Sequence, residues 1–288
     1  MKQKDNKVHL YGFLNEIKSA NDFEGKKSFL MDVATVENWQ DNAENWQSRT
    51  SYHTVSLLTG DKKIIKGLEK AKVDLDNNIA NRDTEGFKPK THTVSLDGSL
   101  TTKKSTSDEG VEYFNPVAVA DAESFKLDVK RQENEVRNRA ELKGNIANID
   151  MKDGFAKISI ATHFYVPGES TNHKGETKPY TEVTKYIETK VDEKRLPKTF
   201  AQLKNGELGI GDLVSVNGQM HNNRYKEKES GIYRDKVDID LKGFNLIAKK
   251  GEKKAQAEEK TEKKAEAKKE TKKAAPKKAT PRKKGVSM

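Results

Sequence analysis

The chain of 288 residues contains no cysteine. That removes disulfides, thiolate zinc sites and cysteine nucleophiles together, and it fits a reducing compartment. Long apolar runs are missing as well. Hydrophobic residues make up 33% and charged residues 35%, and no stretch approaches the roughly eighteen consecutive apolar residues that a spanning helix needs. The segment Met1 to Asp5 is charged and has no apolar run behind it, so no secretory leader is expected. The six histidines, at 9, 53, 92, 163, 173 and 221, show no His-x-x-x-His spacing. A Gly-x-x-x-x-Gly-Lys-Ser/Thr loop is absent, and Gly206-x-x-Gly209-x-Gly211 precedes a strand pattern, which makes it a turn and not a dinucleotide cradle. Nothing singles out a general acid-base pair. The expectation is a protein without catalytic residues, metal or cofactor.

Charge is present but unevenly placed. Residues 249–288 hold fifteen Lys and one Arg against six Glu, a net of +10. That equals the formal charge of the whole chain, so residues 1–248 balance 39 basic against 39 acidic groups. The basic character therefore says nothing about the body, whose partners must be read from local patches and aromatics. The Lys/Ala/Glu-rich segment has no aliphatic larger than Ala before Val286. It cannot bury enough apolar area to offset the entropy of ordering, so a disordered basic tail over 249–288 is expected. Two readings of it stay open, a solvated linker and an electrostatic arm that contacts phosphates.

Internal repetition carries the most information. Leu10-x-Gly12-x-Leu14-x-x-Ile17 recurs as Leu142-x-Gly144-x-Ile146-x-x-Ile149, and Val33-Ala34-Thr35 as Ile160-Ala161-Thr162. Val94-Ser95-Leu96-Asp97-Gly98-Ser99-Leu100 recurs as Val214-Ser215-Val216-Asn217-Gly218-Gln219-Met220. Last, Tyr113 with Val117 and Val119 matches Tyr233 with Val237 and Ile239. Four matches in one order, at offsets of 132, 127, 120 and 120, indicate two copies of one domain with loops of different length. The boundaries read as a first domain at 1–130, a linker at 131–137, a second domain at 138–248 and the tail.

Each copy reads as mostly β. Val8–Ile17, Ser28–Val36 and Tyr52–Leu58 alternate at period two with β-branched and aromatic enrichment. Gly12, Gly98, Gly144 and Gly218 interrupt strand patterns, as the corners of a small closed barrel require. A helix is expected from Asp61 to about Leu75, with Ile64, Ile65, Leu68 and Leu75 on one face. Its counterpart falls near Glu193 to Lys204, with Leu196, Phe200 and Leu203 on one side. The order β-β-β-α-β-β is that of the five-stranded Greek-key barrel of the OB type. The fold class is therefore all-β with one helix per domain, two such barrels in tandem.

These residues also carry a family resemblance. Asn6-Lys7-Val8-His9-Leu10-Tyr11-Gly12-Phe13-Leu14 resembles the opening strand of bacterial single-stranded DNA-binding proteins. Ala34-Thr35-Val36-Glu37-Asn38-Trp39 is similar to the end of that family's second strand, and Ser51-Tyr52-His53-Thr54-Val55 to its third, with Tyr52 where Trp is usual. Gly218-Gln219-Met220-His221-Asn222-Asn223-Arg224-Tyr225 resembles the fourth strand. Two departures stand out: Ser105 follows Lys103-Lys104 where a fourth-strand aromatic is usual, and Val183 occupies the third-strand aromatic position of the second copy, with Tyr186 nearby. The resemblance implies sequence-nonspecific binding of single-stranded DNA in replication or recombination, in the cytoplasm of a bacterial or phage-infected cell. It also implies a homodimer presenting four barrels. The family's acidic tail with an apolar tip is absent, and Gly285-Val286-Ser287-Met288 is nothing like it. A phage or mobile-element version is the expectation, with recruitment of host repair proteins in doubt.

The binding chemistry selects the candidate residues. An aromatic ring stacked on a base contributes about 1–3 kcal/mol without regard to sequence. Each phosphate neutralised by Lys or Arg adds about 0.7 to the salt slope for a single strand. The first copy offers Trp39, Tyr52 and, in the loop between strands two and three, Trp46, with Lys26, Lys27, Arg49, Lys103 and Lys104 for phosphates. The second offers Phe164, Tyr165, Tyr225 and Tyr233, with Lys185 and Arg224. Trp39 and Trp46 lie among Glu, Asn, Gln and Asp, which argues against a core role. For Tyr52 core packing and stacking stay open, Tyr113 and Tyr233 fit a shared core or rim role, and His53 reads as a surface or rim histidine. Two other functions fit the same scaffold: RNA binding or annealing, and a structural or virion-associated protein that no longer holds a strand.

Overall fold

The computed structural model describes residues 5–40, 44–106, 112–131, 137–171, 177–226 and 233–251. Side chains of 104–106, 112–114, 164–171, 178–182, 223–226 and 233–236 are outside that description. The first half runs β1 (Asn6–Phe23), β2 (Lys26–Gln40), β3 (Trp46–Thr59), α1 (Lys62–Ala80), β4 (Thr93–Thr106), β5 (Glu112–Ala120) and the short β6 (Lys126–Leu127). The second runs β7 (Asn138–Lys152), β8 (Phe155–Thr171), β9 (Thr177–Asp192), α2 (Pro197–Lys204), β10 (Leu213–Lys226) and β11 (Tyr233–Ala248).

Both halves close the same way. β1 pairs with β2 and β4, β2 with β3, and β3 runs parallel to β5, which pairs with β4. In the second half β7 pairs with β8 and β10, β8 with β9, and β9 runs parallel to β11, next to β10. Two five-stranded OB barrels follow, and each fills with the aliphatic side of its strands. Leu10, Phe29, Met31, Val55, Leu57, Leu96 and Leu100 are buried in the first, and Leu142, Ile158, Ile160, Ile187, Val214 and Met220 in the second. The α1 helix is capped by Asp61, whose carboxylate accepts from the Lys63 and Ile64 amides. It buries Leu68, Ala71 and Leu75. In α2, Pro197 opens the helix and Phe200 and Leu203 are buried.

The matched glycines do matching work. A Cβ on Gly12 would sit 2.3 Å from the Ala34 carbonyl oxygen, and one on Gly144 would sit 2.1 Å from that of Ala161. Such separations exclude any side chain, so each β1-type strand bends tightly over its neighbour only because glycine is there. Gly98 and Gly218 stand likewise against the carbonyls of Val119 and Asp240. This pair corrects the last sequence match by one residue. Val119, matched to Ile239 by counting, occupies the place of Asp240, while Ala118 and Ala120 correspond to the buried Ile239 and Leu241. A slip of one turns a strand over, so the error exchanges core for surface.

The barrels join through an antiparallel ladder between β1 and β7, Asn6↔Leu142, Val8↔Ala140 and Leu10↔Asn138. At the offset of 132 set by Gly12 and Gly144, Asn6 corresponds to Asn138 and Leu10 to Leu142. The ladder is therefore self-complementary, like an isologous dimer contact within one chain. Its end bonds obey the same pseudo-two-fold: the Tyr11 amide donates to the Arg137 carbonyl at 2.9 Å and the Lys143 amide to that of Asp5 at 2.6 Å. Each buried asparagine clamps the fourth strand of its own barrel. Asn6 Nδ2 donates to the Leu100 carbonyl at 2.7 Å and Oδ1 accepts from the Leu100 amide at 2.8 Å. Asn138 does the same with Met220, at 2.5 and 3.1 Å.

Candidate nucleic-acid interface

The β2–β3 hairpin runs far past the barrel, pairing without interruption from Lys27↔Thr59 to Gln40↔Trp46. Trp46 is therefore the first residue of β3 and not part of a loop, a correction to the sequence reading. The ladder extends through polar residues that give little hydrophobic alternation, because cross-strand bonding needs only backbone. Residues directly opposite each other share a face. Tyr52, opposite Ala34, and Trp46, opposite Gln40, lie on one face, six residues apart along β3, about 20 Å. Trp39, opposite Gln47, lies on the other face with Glu37 and Arg49, which are directly paired. The hairpin thus separates residues that the sequence groups together.

All three rings are open to solvent: Trp39 is 45% exposed, Trp46 72% and Tyr52 43%. The ladder continues from Ala34 to Phe13, itself exposed, so two rings flank a small residue in the row Phe13–Ala34–Tyr52. In the second barrel the same row reads Asn145–Ala161–Tyr186. Tyr186, 59% exposed, is the structural counterpart of Tyr52, and this corrects the assignment of that position to Val183. Sequence reasoning finds Tyr186 only as a neighbour, and the signal that identifies it is its register against Ala161. Lys103 is exposed on β4. Lys104, Phe164, Tyr165, Arg224 and Tyr225 lie on strands, but their side chains fall outside the described residues, as do those of Tyr113 and Tyr233. The tail from 252 onward also lies outside them.

On its Trp39 face the hairpin meets the second barrel. A cleft of about 650 Å³ opens there, lined by Glu37, Trp39, Arg49, Arg131, Arg137, Arg195, His221 and Lys242 among others. Arg49 Nη2 donates to the Asn222 carbonyl at 3.4 Å, and Arg137 donates to that of Val36. Beneath, His221 stands 3.8 Å from Glu37 and 3.9 Å from Asp240. Burial, then the charges of Arg49, Arg195, Lys242 and Lys190, push His221 down to about 4. Burial raises Asp240 above its ordinary value, opposed by Lys190, Arg195 and Arg49. His53 is not at the surface. It is 2% exposed, shares a 2.8 Å hydrogen bond with Thr35 Oγ1, and is pushed down to about 3 by burial and then by His221. Among the described residues no group of three or more His, Asp or Glu is placed to hold a metal ion.

No protein-family model and no curated protein matches this chain. Solved structures do. A deletion mutant of the single-stranded DNA binding protein from Thermus aquaticus is similar at 16% identity over 86% of this chain and 97% of its own, with a TM-score of 0.49. A Plasmodium falciparum SSB in complex with ssDNA is similar at 21% identity over 44% of this chain and 97% of its own, with a TM-score of 0.30. The wild-type single-stranded DNA binding protein from Thermus aquaticus covers 86% of this chain and 95% of its own at 15% identity, with a TM-score of 0.50, and with it this chain shares its fold.

Proposed function

We propose that this protein binds single-stranded DNA without regard to sequence and protects it during replication or recombination. Exposed rings stack on bases, and neighbouring cations neutralise phosphates. The observation that supports this most directly is the exposure of Trp39, Trp46 and Tyr52 on one polar hairpin, with Tyr186 repeating the Tyr52 position on the second barrel. A folded domain gains nothing in core packing from rings left in water, whereas a single strand presents π-faces that fit them. The shared fold with a protein named for the same ligand agrees with this reading. Origin in a phage or mobile element, and assembly as a homodimer, belong to the same proposal.

Trp39 and Trp46 are the only tryptophans, so intrinsic fluorescence reports on the hairpin directly. Poly-dT is expected to quench it at lower concentration than poly-U or duplex DNA. An equal response to poly-U would favour an RNA-binding protein, and no response to any of the three would leave a structural role. Binding is expected to survive truncation after Ala248, because every strand described precedes that point. Loss of all affinity in the truncated chain would assign binding to the tail.

A further inference from the structure

The cleft between the barrels differs in composition from the rest of the body. Lysine outnumbers arginine 31 to 8 in residues 1–248, yet the cleft wall holds Arg49, Arg131, Arg137 and Arg195 with a single lysine, Lys242. Against these five cations stands one lining carboxylate, Glu37, in a body whose charges balance as a whole. The cations come from separate places: Arg49 from β3, Arg131 and Arg137 from the connection between barrels, Arg195 from the approach to α2 and Lys242 from β11. Backbone carbonyls of Asn222 and Val36 hold Arg49 and Arg137 in position. Arg195 stands 3.8 Å from Asp240. His221 beneath them is held down first by its burial and then by the charges of Arg49, Arg195, Lys242 and Lys190. Planar guanidinium forks match phosphate oxygens two at a time, and a walled cleft strengthens their field by excluding water. Trp39, 45% exposed, is part of the same wall and offers a ring to stack on a base.

We infer that this cleft grips the phosphate backbone of one segment of the bound single strand, with Trp39 stacked on a base there, so that the strand crosses from one barrel to the other. The inference rests on the single-stranded DNA reading above and adds a site that neither barrel contains alone.

The test uses the full chain carrying Trp46→Phe, in which Trp39 is the remaining fluorophore, titrated with poly-dT over a range of salt. Combining Arg195→Ala with Lys242→Ala is expected to weaken binding on the order of tenfold per cation removed. It should also reduce the steepness of log affinity against log salt by about 0.7 for each phosphate left without a cation. The charge-preserving pair Arg195→Lys with Lys242→Arg should keep the parental slope, which separates loss of charge from damage to the fold. An unchanged slope in the alanine pair, or weaker binding at an unchanged slope, overturns the cleft assignment. Should poly-dT alter the emission of neither Trp39 nor, in a Trp39→Phe chain, Trp46, the single-stranded DNA reading itself fails. Should Trp46 respond while the alanine pair leaves slope and affinity intact, only the cleft assignment falls.

Discussion

Replacing Asn138 with alanine tests whether the two buried asparagines hold the fourth strand of each barrel beside the seam. The Asn138 side chain is fully buried, and both of its polar atoms are spent on one residue, Met220, which is 1% exposed. Alanine leaves the Met220 amide and carbonyl buried without these partners. Each such group costs about 1–3 kcal/mol, so the loss is about 2–6 kcal/mol. In a body of this size a kilocalorie moves the melting temperature by about 2–4 °C, which predicts a fall of at least about 4 °C. Urea titration followed by far-UV circular dichroism should show a lower midpoint at an unchanged m-value. Asn138→Asp should lose stability too, because its carboxylate still accepts from the Met220 amide but faces the carbonyl with nothing to donate. Acidification into the carboxyl range should restore part of that loss by returning a donor. Asn6→Ala should behave like Asn138→Ala, with the added loss of a 3.4 Å bond from Asn6 Nδ2 to Thr162 Oγ1 across the seam. A loss below about 1 kcal/mol in both alanine variants would refute the reasoning and leave backbone pairing as all that holds the fourth strands.

Three further outcomes are expected. Tyr186→Ala should weaken poly-dT binding by about 1–3 kcal/mol, roughly 5- to 150-fold, whereas Val183→Ala should leave it nearly unchanged; a titration of both variants distinguishes register from counting. Gly144→Ala should destabilise by about 1–3 kcal/mol or more, because its methyl meets the Ala161 carbonyl at 2.1 Å, while Gly209→Ala, with open space around it, should stay within about 0.5 kcal/mol in the same denaturation assay. His53 and His221, held down to about 3 and about 4, stay neutral in the fold where the unfolded chain takes up protons. Their stabilising contribution is complete above about pH 6.5 and is lost as pH falls through those lower values, so urea midpoints between pH 7 and 4 should decline less steeply in a His53→Gln, His221→Gln chain.

Much of the fold is legible in the sequence because its signals are local. Period-two alternation, glycine within strands and the apolar face of the helix that begins at Asp61 each sit within a few residues of what they determine, and repetition ties the two halves together. The errors come from counting across loops. Counting puts Val183 at the third-strand ring because the β8–β9 connection hides the register, and only the bonding of Tyr186 opposite Ala161 reveals the equivalence. Val119 falls opposite Ile239 one residue out, which no composition argument detects. Trp46 reads as a loop residue because Gln47, Ser48 and Arg49 carry no hydrophobic alternation. Asn6 and Asn138 are visible as equal residues at equal offset, but nothing local says that an asparagine in a strand clamps a distant carbonyl. The cleft is invisible for a related reason: Arg49, Arg131, Arg137, Arg195 and Lys242 span nearly two hundred positions of sequence and meet only after both barrels form.

The self-complementary seam has a consequence for how the two halves can change. In a pair of identical chains joined this way, every substitution would be written twice, once on each side of the axis. Here the axis lies within one polypeptide, so each side can drift independently while the joint keeps its symmetry. Phe13 on one side against Asn145 on the other is such a divergence: the bends, the glycines and the clamping amides stay matched, and the chemistry offered to a ligand does not.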